Sequence, residues 1–375
     1  RNSPFLFTKG AFMKKYLTPL LFLVISLTVV TAALAAGGDA SDPLASLSYL
    51  TGTFQSKVDS AVDQRLDTSD ALLLQQTDAK LSGGSGGVPL TEVRLKSGDV
   101  LQGSTGMDCM LLAGTVKVTF SSGTVVDLTT GQEVSSGTSL TVRHKYLVAE
   151  DTSAAFTVTS QTAVVDYEGV ASFTYSTATD YNAIASALKE MNLFKGSYTG
   201  YGQGYDLEVS ATRIQALIMF IRVMGEEDAA LSWTGTTPFT DIAHGSLSEH
   251  YVGYALEKGY TNGYTATLFK PDLAVTANQY MEFMLRALGY SSAANTDLSN
   301  TLARALTAGV ITSGEMTMLQ THTFLRAQLV YVSYYALNAT LSGSSQTLRS
   351  KLISAGVFTQ ADAVTADALV TSARL

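Results

Sequence analysis

The sequence predicts a multidomain protein of α and β parts: an N-terminal helix, a small antiparallel β-sandwich or barrel-like domain, and a C-terminal all-α bundle of three repeats. Three observations carry this. A glycine-serine stretch, "SGGSGGVP" from Ser82 to Pro89, interrupts the chain. Residues 91–175 alternate short valine- and threonine-rich runs with glycine- and serine-bearing turns. Beyond residue 178 a helical pattern recurs: a shift of 64 residues brings Thr212 onto Thr276, Gln215 onto Gln279, Arg222 onto Arg286 and Gly225 onto Gly289, and a further 49 bring Gln279 onto Gln328.

The chain of 375 residues is long enough for two or three domains, and with 46% hydrophobic and 15% charged residues it can bury a core. Met13-Lys14-Lys15, the apolar run Leu17 to Val30 and the small residues Ala33 to Ala35 have the order of an export signal, read here as residues 13–35 and cleaved after Ala35. Residues 1–12 read as translation upstream of the true start. Removing residues 1–35 takes Arg1, Lys9, Lys14 and Lys15 and no acids, leaving 20 basic against 32 acidic residues, a net charge of −12. That balance argues against nucleic acid, whose binding needs a basic footprint. Cys109 is the one cysteine, so no intramolecular disulfide and no multi-cysteine zinc site can form. It reads as a small buried hydrophobe.

Residues 41–80 read as a helical segment. Ser41-Asp42-Pro43 supplies a cap and a first-turn proline, and Leu47, Leu50, Phe54, Val58, Val62 and Leu66 form one narrow apolar stripe. A single stripe must pack against something. A helix lying on its own domains and a stalk that makes the chain a homo-oligomer both satisfy it. Residues 81–90 are the flexible linker. In the β region, 91–175, Val116, Val118 and Phe120 alternate with Lys117 and Thr119, and seven or eight strands are expected. His144 is its one histidine and is expected to face solvent beside Arg143 and Lys145.

In the repeats, Ser210 or Thr212 can cap a helix whose stripe is Ile214, Leu217, Ile218, Ile221 and Met224. Met281, Leu285 and Leu288, then Val330, Tyr334 and Leu337, continue the row in the later copies. Related helices at this spacing build a shared core. Arg213 stands out because a cation in a first helical turn opposes the helix dipole.

The segment "PFTDIAHGSLSEHYVGYALEKGYTNGYTATLFKPDLAVTANQ" resembles the S-layer homology repeat. Phe239 and Asp241 match its F-x-D, Tyr251 stands where the family often has tryptophan, and Gly259, Gly263, Phe269 and Pro271 match its loop. The T-R-A-E position reads Thr212-Arg213-Ile214-Gln215, then Thr276-Ala277-Asn278-Gln279, then Leu325-Arg326-Ala327-Gln328. The repeats span about 178–228, 236–292 and 296–345, with a tail to residue 375, and Asp180 replaces the full F-x-D in the first. The resemblance implies a three-repeat bundle with grooves that hold an anionic, commonly pyruvylated, secondary cell-wall polysaccharide and tether a secreted protein to the peptidoglycan layer of a bacterial surface. The polysaccharide-binding residues it implies are Thr212, Arg213, Gln215, Asp241, Tyr251, Gly263, Arg326 and Gln328. An anion would explain Arg213, because a helix N-terminus offers unpaired N–H donors and an arginine there adds a bidentate receptor. Arg213 could instead fasten the bundle through Asp206, Glu208 or an acid of another repeat. Asp241 reads as a helix-start cap or a ligand contact, and Tyr251 as core or a sugar-stacking ring. Ala277 removes the arginine from one groove. "GYGQGY" mimics part of a dinucleotide fingerprint but follows no strand of a βαβ unit.

No catalytic constellation, metal set or cofactor motif is expected. The one G-x-S-x-G is the linker "GGSGG", which lacks a strand-turn-helix setting, and there is no H-E-x-x-H or phosphate loop. His244 and His250, six apart, do not share a helix face. Two non-catalytic readings stand: wall anchoring through the repeats, or a purely structural repeat bundle with the β domain binding glycan or protein.

Overall fold

The computed structural model describes residues 57–58, 60–61, 90–196 and 205–375. The export signal, residues 81–89 of the linker, the "SYTGYGQG" part of the loop before Arg213, and all of the 41–80 segment except residues 57–58 and 60–61, which are helical, lie outside the described residues. The chain divides into two compact units, Arg1–Gly87 and Val88–Leu375. The second unit is a mixed assembly of antiparallel sheets and a C-terminal helical region.

Ten strands precede the helices: β1 (Thr91–Lys96), β2 (Val100–Ser104), β3 (Asp108–Ala113), β4 (Val116–Thr119), β5 (Thr124–Asp127), β6 (Gln132–Val134), β7 (Lys145–Ala149), β8 (Ser153–Val158), β9 (Thr162–Glu168) and β10 (Ala171–Thr174). They form one sheet in the order β1-β9-β3-β7-β5-β6 and a second in the order β10-β2-β8-β4. The count exceeds the seven or eight read from the sequence. Gly98, at φ +79°, breaks the run "VRLKSGDVL" into β1 and β2, and the "MDCMLL" stretch is β3. Alternation places Val116 and Val118 inside and Lys117 and Thr119 outside on β4. Leu101, Leu111, Val118, Val125, Phe156 and Val165, drawn from both sheets, share one core. Cys109 is fully buried in it, and burial pushes its thiol pKa upward.

His144 differs from expectation. Its Nδ1 lies 2.7 Å from Asp127 Oδ2, and its side chain is 26% exposed. Asp127 also accepts from the Thr129 and Thr130 amides, so the pair pins the turn after β5.

The helical region holds α1 (Tyr181–Glu190), α2 (Arg213–Val223), α3 (Glu227–Leu231), α4 (Leu247–Glu257), α5 (Ala277–Ala287), α6 (Thr301–Thr307), α7 (Ser313–Thr321), α8 (Arg326–Ala336), α9 (Leu348–Ser354) and α10 (Gln360–Leu369). The three helices that carry the repeated motif, α2, α5 and α8, meet pairwise at the centre. Phe220 of α2 meets Tyr280 and Phe283 of α5 at 6.5 and 5.6 Å between ring centres, and Tyr280 bonds Ser333 of α8 at 2.6 Å between oxygens. Two of them start with the same device. Thr212 Oγ1 accepts from Gln215 N while Gln215 Oε1 accepts from Thr212 N, and Thr276 with Gln279 repeats the box. Leu325 has no oxygen to offer, so on α8 only the return bond, Leu325 N to Gln328 Oε1 at 2.9 Å, is made. A full cap of this kind stabilises a helix by about 1 kcal/mol.

The sandwich is docked onto the helices. Asn182 of α1 donates to Leu95 O, and Gln328 Nε2 donates to Gln161 Oε1. Asp99, 2% exposed, accepts from Ser176 N at 2.7 Å and fixes the connection between the two parts.

Candidate functional site

The first turn of α2 is joined to the segment that precedes α5. Arg213 N donates to Leu273 O at 2.8 Å and Ile214 N to Pro271 O at 3.1 Å. The same contact joins α8 to the segment before α2: Arg326 N donates to Val209 O at 2.9 Å and Ala327 N to Leu207 O at 3.1 Å. The 64-residue shift maps Leu207 to Pro271 and Val209 to Leu273. Two equivalent junctions result, each with a cleft beside it.

These bonds correct one expectation. The amides at the start of α2 are not unpaired donors for a ligand: Arg213 N and Ile214 N go to the neighbouring segment and Gln215 N to Thr212. What the start of α2 offers this cleft is the Arg213 side chain.

The first cleft, of about 410 Å³, is lined by Arg213, the loop Thr261–Ala266, one face of α5 with Gln279, Glu282, Phe283 and Arg286, and Asn295, Thr296 and Leu298. Arg213 is 3% exposed. Its Nε donates to Phe269 O at 2.9 Å, and its guanidinium carbon lies 4.8 Å from the Phe269 ring centre and 5.6 Å from that of Tyr264. Among the described residues no carboxylate forms an ion pair with it and no acceptor meets its Nη atoms. Burial pulls its pKa down to about 10, against the pull of Tyr264 and Asp241. This is a desolvated charge held by one neutral carbonyl and two rings, a setting that raises the worth of an incoming anion.

The opposite wall is electrically closed. Glu282, 2% exposed, accepts from Arg286 Nε at 3.2 Å, Arg304 Nη2 at 2.5 Å, Ser291 Oγ at 2.6 Å and Thr301 Oγ1 at 3.1 Å. Burial opposes its charge, but the bonds from Ser291, Arg304 and Asn295 outweigh it and hold its pKa low. Arg286 is used up by Glu282, Tyr260 O and Asn295 O.

Asp241 is neither a helix cap nor a lining residue. Ser246 caps α4, and Asp241 accepts from Phe269 N and Lys270 N, both at 2.8 Å. It thereby holds the strand of chain whose Phe269 carbonyl holds Arg213. Phe239, the other half of F-x-D, packs on Phe269 at 6.0 Å. Gly263 lines the cleft at φ +82°, and a Cβ there would run into the edge of the Phe239 ring. Only glycine fits this turn.

The second cleft is smaller, about 180 Å³, and is lined by Phe194, Tyr205, Gln215, Ile218, Met219, Arg222 and Arg326, with Gly196. Here Arg326 is occupied: Nη2 donates to Gln215 Oε1 at 2.8 Å, and Nη1 lies 3.6 Å from Asp206 Oδ2. Thr212 serves the cap of α2. Gln328 is fully buried, turned toward Gln161 of the sandwich, and lines neither cleft. Tyr251 is 2% exposed and donates to Glu227 Oε1 at 2.8 Å, so it belongs to the core and cannot stack on a sugar. At the start of α5, Thr276, Ala277 and Asn278 border a further depression with Asn300 and Gln320 that has no charged side chain in its lining.

The structure thus brings Arg213 and Gly263 together at one cleft, and Gln215 with Arg326 at another. Sequence reading missed Tyr264, which is 52% exposed in the first cleft, the Phe269 carbonyl and the Glu282 network. The 64-residue shift applied ahead of the helices sets Asp206 against Lys270, a signal that was present. Among the described residues no three His, Cys, Asp or Glu side chains cluster so as to hold a metal ion. Among them, too, no helix is long and apolar enough to cross a membrane.

No family model matches the sequence, and no curated protein matches it. Among solved structures, matches include recombinant pro-11S globulin of pumpkin (13% identity, TM-score 0.16, covering 27% of this chain and 28% of that one). Pumpkin seed globulin matches at 12% identity with a TM-score of 0.16, over 27% of this chain and 28% of that one. Procruciferin, an 11S globulin from Brassica napus, matches at 13% identity with a TM-score of 0.15, over 26% of this chain and 27% of that one. This chain spans little more than a quarter of those proteins, and likenesses of this size carry no argument.

Proposed function

We propose that this chain is a non-catalytic, secreted bacterial surface protein whose C-terminal helices are three divergent S-layer homology repeats. They anchor it to the peptidoglycan layer by binding an anionic, pyruvylated secondary wall polysaccharide. The observation that carries this reading is Arg213: a buried guanidinium lining an open cleft, with a backbone carbonyl and two rings but no carboxylate as partners among the described residues. A residue whose role was to fasten the bundle would meet an acid. Tyr264, exposed beside it, offers a ring face to a sugar, and Asn262, Thr265, Gln279 and Asn295 offer polar groups.

Arg326 favours the other reading for its own cleft, since Asp206 and Gln215 already hold it. If both clefts are structural, the sandwich is the binding module.

The test is sedimentation of the full chain with purified wall sacculi, before and after acid extraction of the secondary polymer, for the wild type and Arg213→Ala. Because sandwich and helices share one compact unit, the full chain is the proper reagent. Binding that disappears with either the polymer or the arginine supports anchoring. Equal binding by Arg213→Ala, or none by the wild type, sinks it.

A further inference from the structure

Arg213 and Arg326 occupy the same position in their repeats, yet among the described residues only Arg326 meets a carboxylate. The register of the two junctions says why. The shift that maps Leu207 to Pro271 and Val209 to Leu273 also maps Tyr205 to Phe269 and Asp206 to Lys270. The backbone agrees: Asp206 and Lys270 both have left-handed φ, +50° and +60°. In the second cleft the side chain at this position is a carboxylate, 3.6 Å from Arg326 Nη1. In the first it is an exposed lysine, which has no acceptor to give Arg213.

We propose that the residue at this left-handed position is the specificity determinant of each cleft: Lys270 leaves Arg213 to receive an external carboxylate, and Asp206 closes the second cleft by supplying the chain's own. The chain therefore takes one carboxylate-bearing ligand, at the first cleft, and its second cleft is an internally neutralised copy. The inference rests on the reading of the first cleft as a carboxylate receptor.

The test uses the full chain with isotope-labelled arginine and sodium pyruvate as the probe, a monocarboxylate free of any sugar contribution. The side-chain N–H signals of Arg213 and Arg326 are followed through the titration by NMR. In the wild type, Arg213 shifts saturably and Arg326 does not. Asp206→Asn, nearly isosteric and at ease in the left-handed region, brings Arg326 into response. Lys270→Asp weakens the Arg213 response by about tenfold or more, whereas Lys270→Asn, which changes the same backbone position without adding a negative charge, retains it. Retention in Lys270→Asn separates charge from any disturbance of the fold. The proposal is overturned if Arg326 answers pyruvate in the wild type, if a folded Asp206→Asn protein leaves Arg326 silent, or if Lys270→Asp leaves Arg213 unchanged. Silence of Arg213 in the wild type removes the receptor reading and this proposal together. A responding Arg213 with a silent Arg326 in Asp206→Asn removes the proposal alone.

Discussion

Arg213→Met takes out a charge that the fold holds at a cost. Burial brings the arginine's pKa from its ordinary value down to about 10. Each tenfold change in acidity is worth about 1.4 kcal/mol, so keeping the charge inside at neutral pH costs about 3 kcal/mol. Against this stands the bond from Nε to Phe269 O, which contributes about 1.5 kcal/mol as a bond from a charged donor. Methionine fills similar space between the two rings without the charge. The Phe269 and Tyr264 ring contacts add about 0.5–1 kcal/mol each, so the net expectation is close to no change in stability. The pH behaviour has a definite sign. A base whose pKa is lowered in the folded state imposes its cost at every pH below the folded value, and the cost fades as pH rises from about 10 toward the ordinary arginine value. Any difference between Arg213→Met and the wild type is therefore constant between about pH 5 and 8. Urea unfolding of the full chain, followed by fluorescence of Trp233, which packs against Gly253 on α4, measures it. Arg326→Met supplies the contrast. It removes a pairing with Asp206 and a bond to Gln215, and a loss of about 1–3 kcal/mol is expected. A destabilisation of about 1 kcal/mol or more by Arg213→Met would refute this, for then the arginine is a fastener like Arg326.

Asp241→Ala leaves the amide of the buried Phe269 without an acceptor and is expected to cost about 2 kcal/mol at pH 7. The Asp241 carboxyl has some burial working against its charge, but the Phe269 and Lys270 amides and the Lys270 charge hold its pKa below the ordinary value. Its contribution is full above the ordinary aspartate pKa and is lost as pH falls through the lower folded value, so wild type and variant converge in stability in urea melts at the acid end. Gly263→Ala forces a methyl against Phe239 at φ +82° and is expected to cost about 2–4 kcal/mol, read as a lower melting temperature with loss of sacculus binding. Glu282→Gln strips the charge from a buried acceptor of two arginines and is expected to cost about 3 kcal/mol or more; a change below about 1 kcal/mol would mean water already serves Arg286 and Arg304. Cys109 is expected to stay unmodified by a thiol reagent in the native protein and to react fully in urea; native-state labelling at the unfolded rate would contradict its burial.

Local signals were legible wherever neighbours in sequence decide the outcome. The T-x-x-Q pattern wrote the caps of α2 and α5, because a capping box closes within four residues. The alternation at Val116 and Val118 wrote β4, because side-chain direction alternates along a strand. The recurrence at 64 and 49 residues announced the related central helices. Two readings failed, and one alternative was decided, for one shared reason. His144 meets Asp127, Asp241 meets Phe269 and Lys270, and Tyr251 takes the core alternative by meeting Glu227. Each partner lies at least 17 residues away, and no local pattern encodes it.

By itself the sequence determined the kinds of element, their order, and which side chains stand at the start of each repeated helix. Only the tertiary structure decided which arginine is paired. Asp206 lies seven residues before Arg213, where it looks like that residue's natural partner, yet it serves Arg326, 120 residues away. The physical reason is which segments meet: Arg213 N bonds Leu273 O and Arg326 N bonds Val209 O, each in a segment distant along the chain. At the place equivalent to Asp206 in the segment that Arg213 meets, the chain carries Lys270, and the aspartate seven residues before Arg213 goes to Arg326.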